Sequence, residues 1–130
     1  MRGMWLMLAA IVCFYGGTGK GVAQQIPTDV VFGGEFFFRF RATAGGLSPV
    51  ARAVVLQGRW LSLFTRLMVQ KHLLRVDTYS QGQMCVIVVA GVPFVTVTVN
   101  DARANGTTVK GLAAIWAFRL QEGLHAILSQ

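Results

Sequence analysis

The chain has 130 residues, of which 54% are hydrophobic and 13% charged, and its formal net charge is +7. This length accommodates one domain and excludes a second independent core. The apolar composition excludes a disordered tail or a charge-rich coiled coil as the main content, so we expect a single folded, basic domain.

The N-terminus has the layout of a secretory signal peptide. Arg2 provides a positive start, and residues 4–15 form an unbroken apolar run followed by small or polar residues. Twelve apolar residues are too few for a membrane anchor, which needs roughly 20. Small residues ending at Ala23 favour cleavage there. We predict that residues 1–23 are removed and that residues 24–130 form one small domain in the periplasm or outside the cell.

Export leaves a basic chain with a single cysteine. Removing Arg2 and Lys20 from the twelve basic residues leaves ten against five acidic ones, a net charge of +5. This excess favours anionic surfaces such as lipid headgroups or cell-wall polymers, and export makes nucleic acid the least favoured partner. Cys13 leaves with the signal peptide, so Cys85 has no disulfide partner within the chain and acts as a small hydrophobic residue.

The first regular element of the domain is predicted after an extended lead-in at residues 24–29. Residues 35–42 alternate as a strand with one buried face. The face predicted to be buried carries Phe36, Phe38 and Phe40. The opposite face carries Phe37, Arg39 and Arg41.

A helix is predicted to follow this strand. Ser48 supplies its N-cap and Pro49 its first residue, and the helix runs to about Met68. Its predicted apolar side carries Val50, Ala53, Val54, Leu61, Phe64 and Met68. Three arginines recur every seven residues along one stripe: Arg52, Arg59 and Arg66. Together with Arg39 and Arg41 they are a candidate anion-binding surface, and the alternative is the solvated side of an amphipathic helix.

Three more strands and a second helix complete the predicted order. Residues 74–79 form a strand, and residues 84–90 and 94–99 pair as a β-hairpin. Thr107 or Thr108 caps the last helix. Its apolar spacing includes Leu112, Ile115, Trp116, Leu120, Leu124 and Ile127. The predicted fold class is α+β: an antiparallel sheet of about four strands, in the order β-α-β-β-β-α, with two helices packed on one face.

No motif in the domain carries recognisable catalytic chemistry. His72 and His125 lie on different predicted elements, and no cysteine pair completes a zinc site. Nucleophile-elbow, phosphate-loop and dinucleotide motifs are missing from the domain. We therefore predict a protein that is not an enzyme and has no metal or cofactor. A hydrolase with a site assembled across the fold from His72 and an acid such as Asp77 is the remaining alternative.

Several short motifs carry a resemblance to a known group of proteins. In the C-terminal half they are residues 94–98, 101–102, 105–108, 112–113, Trp116 and 119–120; upstream they are residues 38–41, 45–49 and 51–53. This pattern resembles the N-terminal periplasmic region of bacterial mechanosensitive-channel-like membrane proteins, and short stand-alone secreted relatives. The resemblance covers most of residues 31–128. It implies an envelope location and no active site, and channel function is not implied because no membrane-spanning segment follows the domain.

Two functions are consistent with these observations. The first is an exported, non-catalytic envelope domain that acts through protein interaction, as an accessory or sensory partner of a membrane protein. The alternative is a basic module that binds anionic lipid or cell-wall polymer through its arginines. Salt distinguishes them, because screening of exposed charges shortens to about 3 Å at 1 M and weakens polyanion binding more than apolar contact.

Overall fold

Five strands form two antiparallel sheets in the computed structural model, which describes residues 26–130. The strands are β1 (Asp29–Phe32), β2 (Glu35–Arg39), β3 (Val76–Gln81), β4 (Met84–Val89) and β5 (Val92–Val97). The helices are α1 (Pro49–Val69), α2 (Val99–Ala104) and α3 (Val109–Leu128), with a 3₁₀ turn at Lys71–Leu73. The predicted α+β class is confirmed. The predicted single sheet is wrong, because β1–β2 and β3–β4–β5 are separate sheets, and the predicted signal peptide lies outside the described residues.

The first sheet is a hairpin of β1 and β2, of which the sequence predicted only β2. Residues 24–29 were expected to be irregular, but β1 begins at Asp29 and pairs with β2 through a two-residue turn, Gly33 and Gly34, both at positive φ. Two consecutive positive φ angles match the right-handed twist of the paired strands, and glycine adopts them without steric cost.

A β-bulge changes which phenylalanines are buried. Val30 pairs with Phe38 and Val31 with Phe36, so Phe37 is the extra residue on β2. An extra residue breaks the alternation of a strand, and Phe37 and Phe38 are both buried while Phe36 is 51% exposed. The prediction that Phe36 is buried and Phe37 faces outward is therefore wrong.

The second sheet is a meander of β3, β4 and β5, in which the predicted β4–β5 hairpin is confirmed. β3 pairs with β4 across Gly82 and Gln83, and β4 pairs with β5 across Ala90 and Gly91. The β4–β5 turn lies earlier than expected, and Pro93 is already part of β5. Proline is tolerated there because β5 is an edge strand that, among the strands of the described chain, pairs with β4 alone.

Helix α1 buries a different side from the one predicted. Its buried residues are Arg52, Leu56, Trp60, Leu63 and Leu67. Val54 and Leu61, expected in the core, are 66% and 62% exposed. Helix α1 has apolar residues on both sides, and periodicity by itself cannot choose between two apolar stripes on one helix.

Helix α3 joins the two sheets into one core. It contacts β2 of the first sheet and β3, β4 and β5 of the second, whereas α1 contacts β1 and β5. The indole of Trp116 stacks on Phe38 with centroids 4.1 Å apart, and Trp60 of α1 stacks on Phe32 at 4.9 Å. The prediction that the two long helices share one face of a single sheet is therefore wrong. In the described part of the chain, no helix combines the length and apolar character needed to cross a bilayer.

The predicted helix starts are confirmed by their caps. The Ser48 hydroxyl accepts from the Ala51 amide at 3.1 Å, and the Thr108 hydroxyl accepts from the Gly111 amide at 3.0 Å. Each satisfies a first-turn N–H that has no partner within its helix.

Candidate anion-binding and docking surfaces

Arg52 is a structural residue at the centre of a buried ion pair. Its guanidinium donates to both carboxylate oxygens of Asp101, at 2.6 and 2.9 Å, and lies 4.2 Å from the ring centroid of Phe40. It also donates to the carbonyls of Ala42 and Thr96. Asp101 is fully buried. Both terminal nitrogens of the Arg52 guanidinium donate to protein acceptors, and this residue links α1 to the start of α2.

Asp101 also closes the first turn of α2. It accepts from the backbone N–H of Thr98 at 2.9 Å and from the Thr98 hydroxyl at 3.0 Å, while the Thr98 hydroxyl accepts from the Asp101 N–H. This is a capping box, with aspartate in the position that glutamate usually takes. One carboxylate therefore satisfies the end of a helix and the charge of a buried arginine.

The arginine stripe of α1 divides into three different environments. Arg59 donates to the carbonyl of Phe94 at 2.7 Å, and Arg52 donates to the carbonyl of Thr96. Both carbonyls belong to β5, an edge strand. Arg66 is exposed and has no ion pair or side-chain hydrogen bond with residues 26–130. Of the three, Arg66 is the one whose charge faces solvent without a protein acceptor.

Other helix side chains cover sheet edges in the same way. Arg119 of α3 donates to the carbonyl of Phe37 in β2 at 3.4 Å, and the Gln121 side chain accepts from the Val76 N–H in β3 at 3.1 Å. Unpaired edge groups are templates for aggregation, and natural proteins cover or charge them. Arg52 and Arg59 of the stripe thus cover the edge of β5. The sequence analysis considered the stripe only as an anion-binding surface or as the solvated side of a helix.

Arg39 and Arg41 line a different cavity from the arginines of α1. Arg39 donates through Nε to Asp29 of β1 at 2.6 Å, and this hydrogen bond to a carboxylate raises the pKa of the Arg39 guanidinium. Arg41 is exposed, with no ion pair to any residue that the structure describes. Both line a cavity of about 300 Å³ between β2 and α3, which we call the β2–α3 cavity, and Arg119 is the third arginine there.

Another cavity, of about 320 Å³, lies between α1 and β5. Its apolar lining includes Leu47, Val55, Met84 and Val95, and its basic lining is Arg52 and Arg59. The five candidate arginines are therefore not brought into one surface: two line this cavity, two line the β2–α3 cavity, and Arg66 lines neither.

The exposed part of α1 is apolar and basic. We define the α1 outer face as Val50, Val54, Leu61, Met68 and Val69, whose exposed fractions run from 41% to 84%. Residues 49–75 contain five basic residues and no acidic one. Of the predicted apolar side, Val50, Val54, Leu61 and Met68 face solvent, while Ala53 and Phe64 are partly buried against the core.

A second exposed apolar area lies on β2 and α3. We define the aromatic patch as Phe36, Ile115 and Phe118, which are 51%, 46% and 66% exposed. Phe36 and Phe118 line one shallow hollow together with Glu35 and Glu122. Ile115, which was predicted to be on the buried side of its helix, belongs to this surface.

The residues considered for a hydrolase are His72 and Asp77. His72 is exposed in the 3₁₀ turn, and Asp77 pairs with Arg75 at 3.1 Å. Among residues 26–130 no group of three or more His, Cys, Asp or Glu side chains is placed to hold a metal ion. Cys85 is buried in β4 as a free thiol.

A family model described as a domain of unknown function (DUF8459) matches residues 29–126 of this chain. The chain belongs to this family. The match begins at the first residue of β1 and ends near the C-terminus of α3, so the DUF8459 domain includes both sheets and all three helices described above. No curated protein and no solved structure matches the chain.

Proposed function

We propose that this DUF8459 protein is an exported, non-catalytic module that attaches to anionic lipid surfaces through α1. The observation that carries the proposal is the combination of the exposed apolar α1 outer face with the lack of any acidic residue in residues 49–75. A basic amphipathic helix of this kind lies in the plane of a membrane interface, with its apolar residues below the headgroups.

The apolar residues favour lipid over a cell-wall polymer. A polymer of charged groups is held by cations and gains little from Val54 or Leu61, whereas a bilayer buries them. Both side chains are more than 60% exposed, so they have most of their apolar surface left to bury. Arg66 and Lys71 are exposed on the same segment and supply the attraction to anionic headgroups.

The charges are tested by Arg66→Gln combined with Lys71→Gln. We expect binding to vesicles of phosphatidylglycerol and phosphatidylcholine to weaken at least roughly tenfold, because each basic residue near an anionic surface contributes about 1 kcal/mol. Co-sedimentation of residues 24–130 with the vesicles measures it. The matched control is Arg103→Gln with Lys110→Gln, which removes the same charge from exposed positions outside α1. An equal loss of vesicle binding in the two double variants would mean that only the net charge matters, and it would contradict a specific role of Arg66 and Lys71.

The substitution Leu61→Ser tests how much the apolar residues of the α1 outer face contribute to lipid binding. This substitution leaves the charge unchanged, and we expect it to lower the binding that remains at high salt. Unchanged retention of the Leu61→Ser variant at every salt concentration would contradict insertion of the α1 outer face. Circular dichroism checks that each variant keeps its fold.

A protein partner is the second candidate, and the aromatic patch favours it. Phe36, Ile115 and Phe118 form an exposed apolar area, and exposed aromatic residues of this kind are enriched at protein interfaces. Its border carries charges of both signs: Glu35, Arg119 and Glu122. With the resemblance to envelope domains, this supports an accessory or sensory partner of a membrane protein. A pull-down from envelope extract at low and high salt tests it: a salt-resistant partner must be lost with Phe118→Ser and kept with Leu61→Ser.

Export is part of the same proposal and rests on the predicted signal peptide. Mass spectrometry of the protein recovered from the envelope fraction is expected to give Gln24 as the first residue. An intact N-terminus in the cytoplasmic fraction would contradict it.

A further inference from the structure

We propose that the β2–α3 cavity is a binding site for a small ligand that joins a carboxylate or phosphate group to an aromatic ring or similar flat apolar part. This inference does not depend on the function proposed for α1. It rests on three properties of the cavity: its three arginines, its apolar wall and its size.

The arginines give the cavity an excess of hydrogen-bond donors. Arg39, Arg41 and Arg119 line it, and no acidic residue among residues 26–130 does. Arg39 uses Nε for Asp29, Arg119 uses one nitrogen for a 3.4 Å bond to Phe37, and Arg41 has no acceptor among the described residues. A guanidinium fork matches the paired oxygens of a carboxylate or phosphate, so unused forks at one cavity favour an anion of this geometry.

The rest of the lining is mainly aromatic and aliphatic. Phe36 and Ile115 are about half exposed and stand at the cavity, and the buried Trp116 also contributes to its lining. A simple inorganic anion makes no use of these groups. A ring attached to the anionic group would contact them while the anion meets the arginines, and arginine itself stacks on flat π systems.

The size of the cavity limits the ligand. Its volume of about 300 Å³ is at the lower end of the range for ligand pockets, which is roughly 300 to 1,000 Å³. A single ring with one anionic group fits this volume, and a polymer chain does not. The polar residues Asn105 and Thr107 complete the lining between α2 and α3 and offer further hydrogen bonds.

Calorimetry with defined probes tests the site on the protein as it is recovered from the producing cells. The probes are phenyl phosphate, benzoate and inorganic phosphate. We expect saturable, one-to-one binding of phenyl phosphate or benzoate, whichever anion the forks prefer, and inorganic phosphate to bind about tenfold more weakly because it lacks the ring. Equal affinity for inorganic phosphate would overturn the role of the apolar wall, and no saturable binding of either aromatic probe would overturn the site.

The substitution that tests the arginines is Arg41→Gln, because the Arg41 side chain is exposed and makes no hydrogen bond or ion pair with residues 26–130. We expect it to weaken binding of the aromatic anion about tenfold, the loss typical of a charge-assisted hydrogen bond. Arg66→Gln is the matched control: it removes one exposed arginine from α1 and is expected to leave this affinity unchanged. Equal weakening by both substitutions would show general charge attraction and overturn the site.

A second substitution at Arg41 and an NMR experiment test the location of the site. Arg41→Lys retains the charge without the fork and is expected to bind with intermediate affinity. In amide NMR spectra, the probe should shift residues 38–41, 105–107 and 112–119; shifts centred on α1 would overturn the assignment. Failure here with intact vesicle binding would leave the α1 proposal in place, because Arg41 is not part of the α1 outer face.

Discussion

Asp101→Ala is expected to lower the free energy of unfolding by about 3–5 kcal/mol, the usual cost of removing one partner from a buried ion pair. Arg52, which is 8% exposed in the intact protein, would stay charged and lose both of its contacts to the carboxylate. The first turn of α2 would also lose its capping box. Urea unfolding at neutral pH, followed by circular dichroism, measures the change.

The double variant Arg52→Met, Asp101→Leu removes both charges together, so it shows how much of the cost comes from leaving Arg52 charged without its partner. Replacing a buried ion pair by apolar residues of similar volume is often neutral, because both desolvation penalties are removed together. We therefore expect the double variant to be more stable than Asp101→Ala. A loss below about 1 kcal/mol for Asp101→Ala would mean that the charges are solvated rather than buried, since exposed pairs contribute that little.

The same ion pair changes how the arginine stripe should be tested. Replacing Arg52, Arg59 and Arg66 together with Gln would remove the partner of Asp101 and the cover of the β5 edge as well as surface charge. Lost binding in that variant would not separate a ligand contact from a weakened fold. Arg66 and Lys71 test the charge without disturbing these contacts.

Gly123→Ala is expected to destabilise the protein by about 3 kcal/mol, at the upper end of the usual cost of overpacking. Gly123 lies on α3 against the ring of Phe37, and an added Cβ would lie 2.9 Å from Cζ, 3.0 Å from Cδ1 and closer still to Cε1. Phe37 is fully buried, so its ring cannot turn outward into solvent to relieve the clash. Thermal or urea unfolding measures the loss.

Gly58→Ala in α1 is the matched control for this substitution. An added Cβ at Gly58 meets no atom of residues 26–130 within 4 Å, so the helix gains alanine's propensity, roughly 0.5–1 kcal/mol, without a clash there. In the Gly123→Ala background, Phe37→Leu should recover part of the stability by shortening the side chain that clashes. Equal effects of Gly123→Ala and Gly58→Ala would contradict the packing of the β2 bulge against α3.

Several features could be predicted from the sequence because their causes are local. Ser48 followed by Pro49 predicts the start of α1, and Thr108 the start of α3, since each cap bonds an amide three residues away. The β4–β5 hairpin follows from two apolar runs separated by a glycine-containing turn. The α+β class follows from the same periodicities, because strand and helix patterns are read over a few residues.

Other features depend on contacts between distant parts of the chain. The bulge that buries Phe37 requires the pairing of β2 with β1, and β1 was itself hidden in a short segment with little periodicity. The buried side of α1 could not be chosen from its sequence, because both sides carry apolar residues at helical spacing. Packing against β1 and β5 selected Leu56, Trp60, Leu63 and Leu67 and left the α1 outer face in solvent.

The arginines show the same division most clearly. The sequence by itself determined the heptad spacing of Arg52, Arg59 and Arg66 and their common stripe on one helix. Only the tertiary structure decided that Arg52 meets Asp101, 49 residues away, that Arg59 covers an edge carbonyl and that Arg66 stays in solvent. The physical reason is that a guanidinium binds whichever acceptor folding brings within hydrogen-bond distance, and a helical period contains no information about that partner.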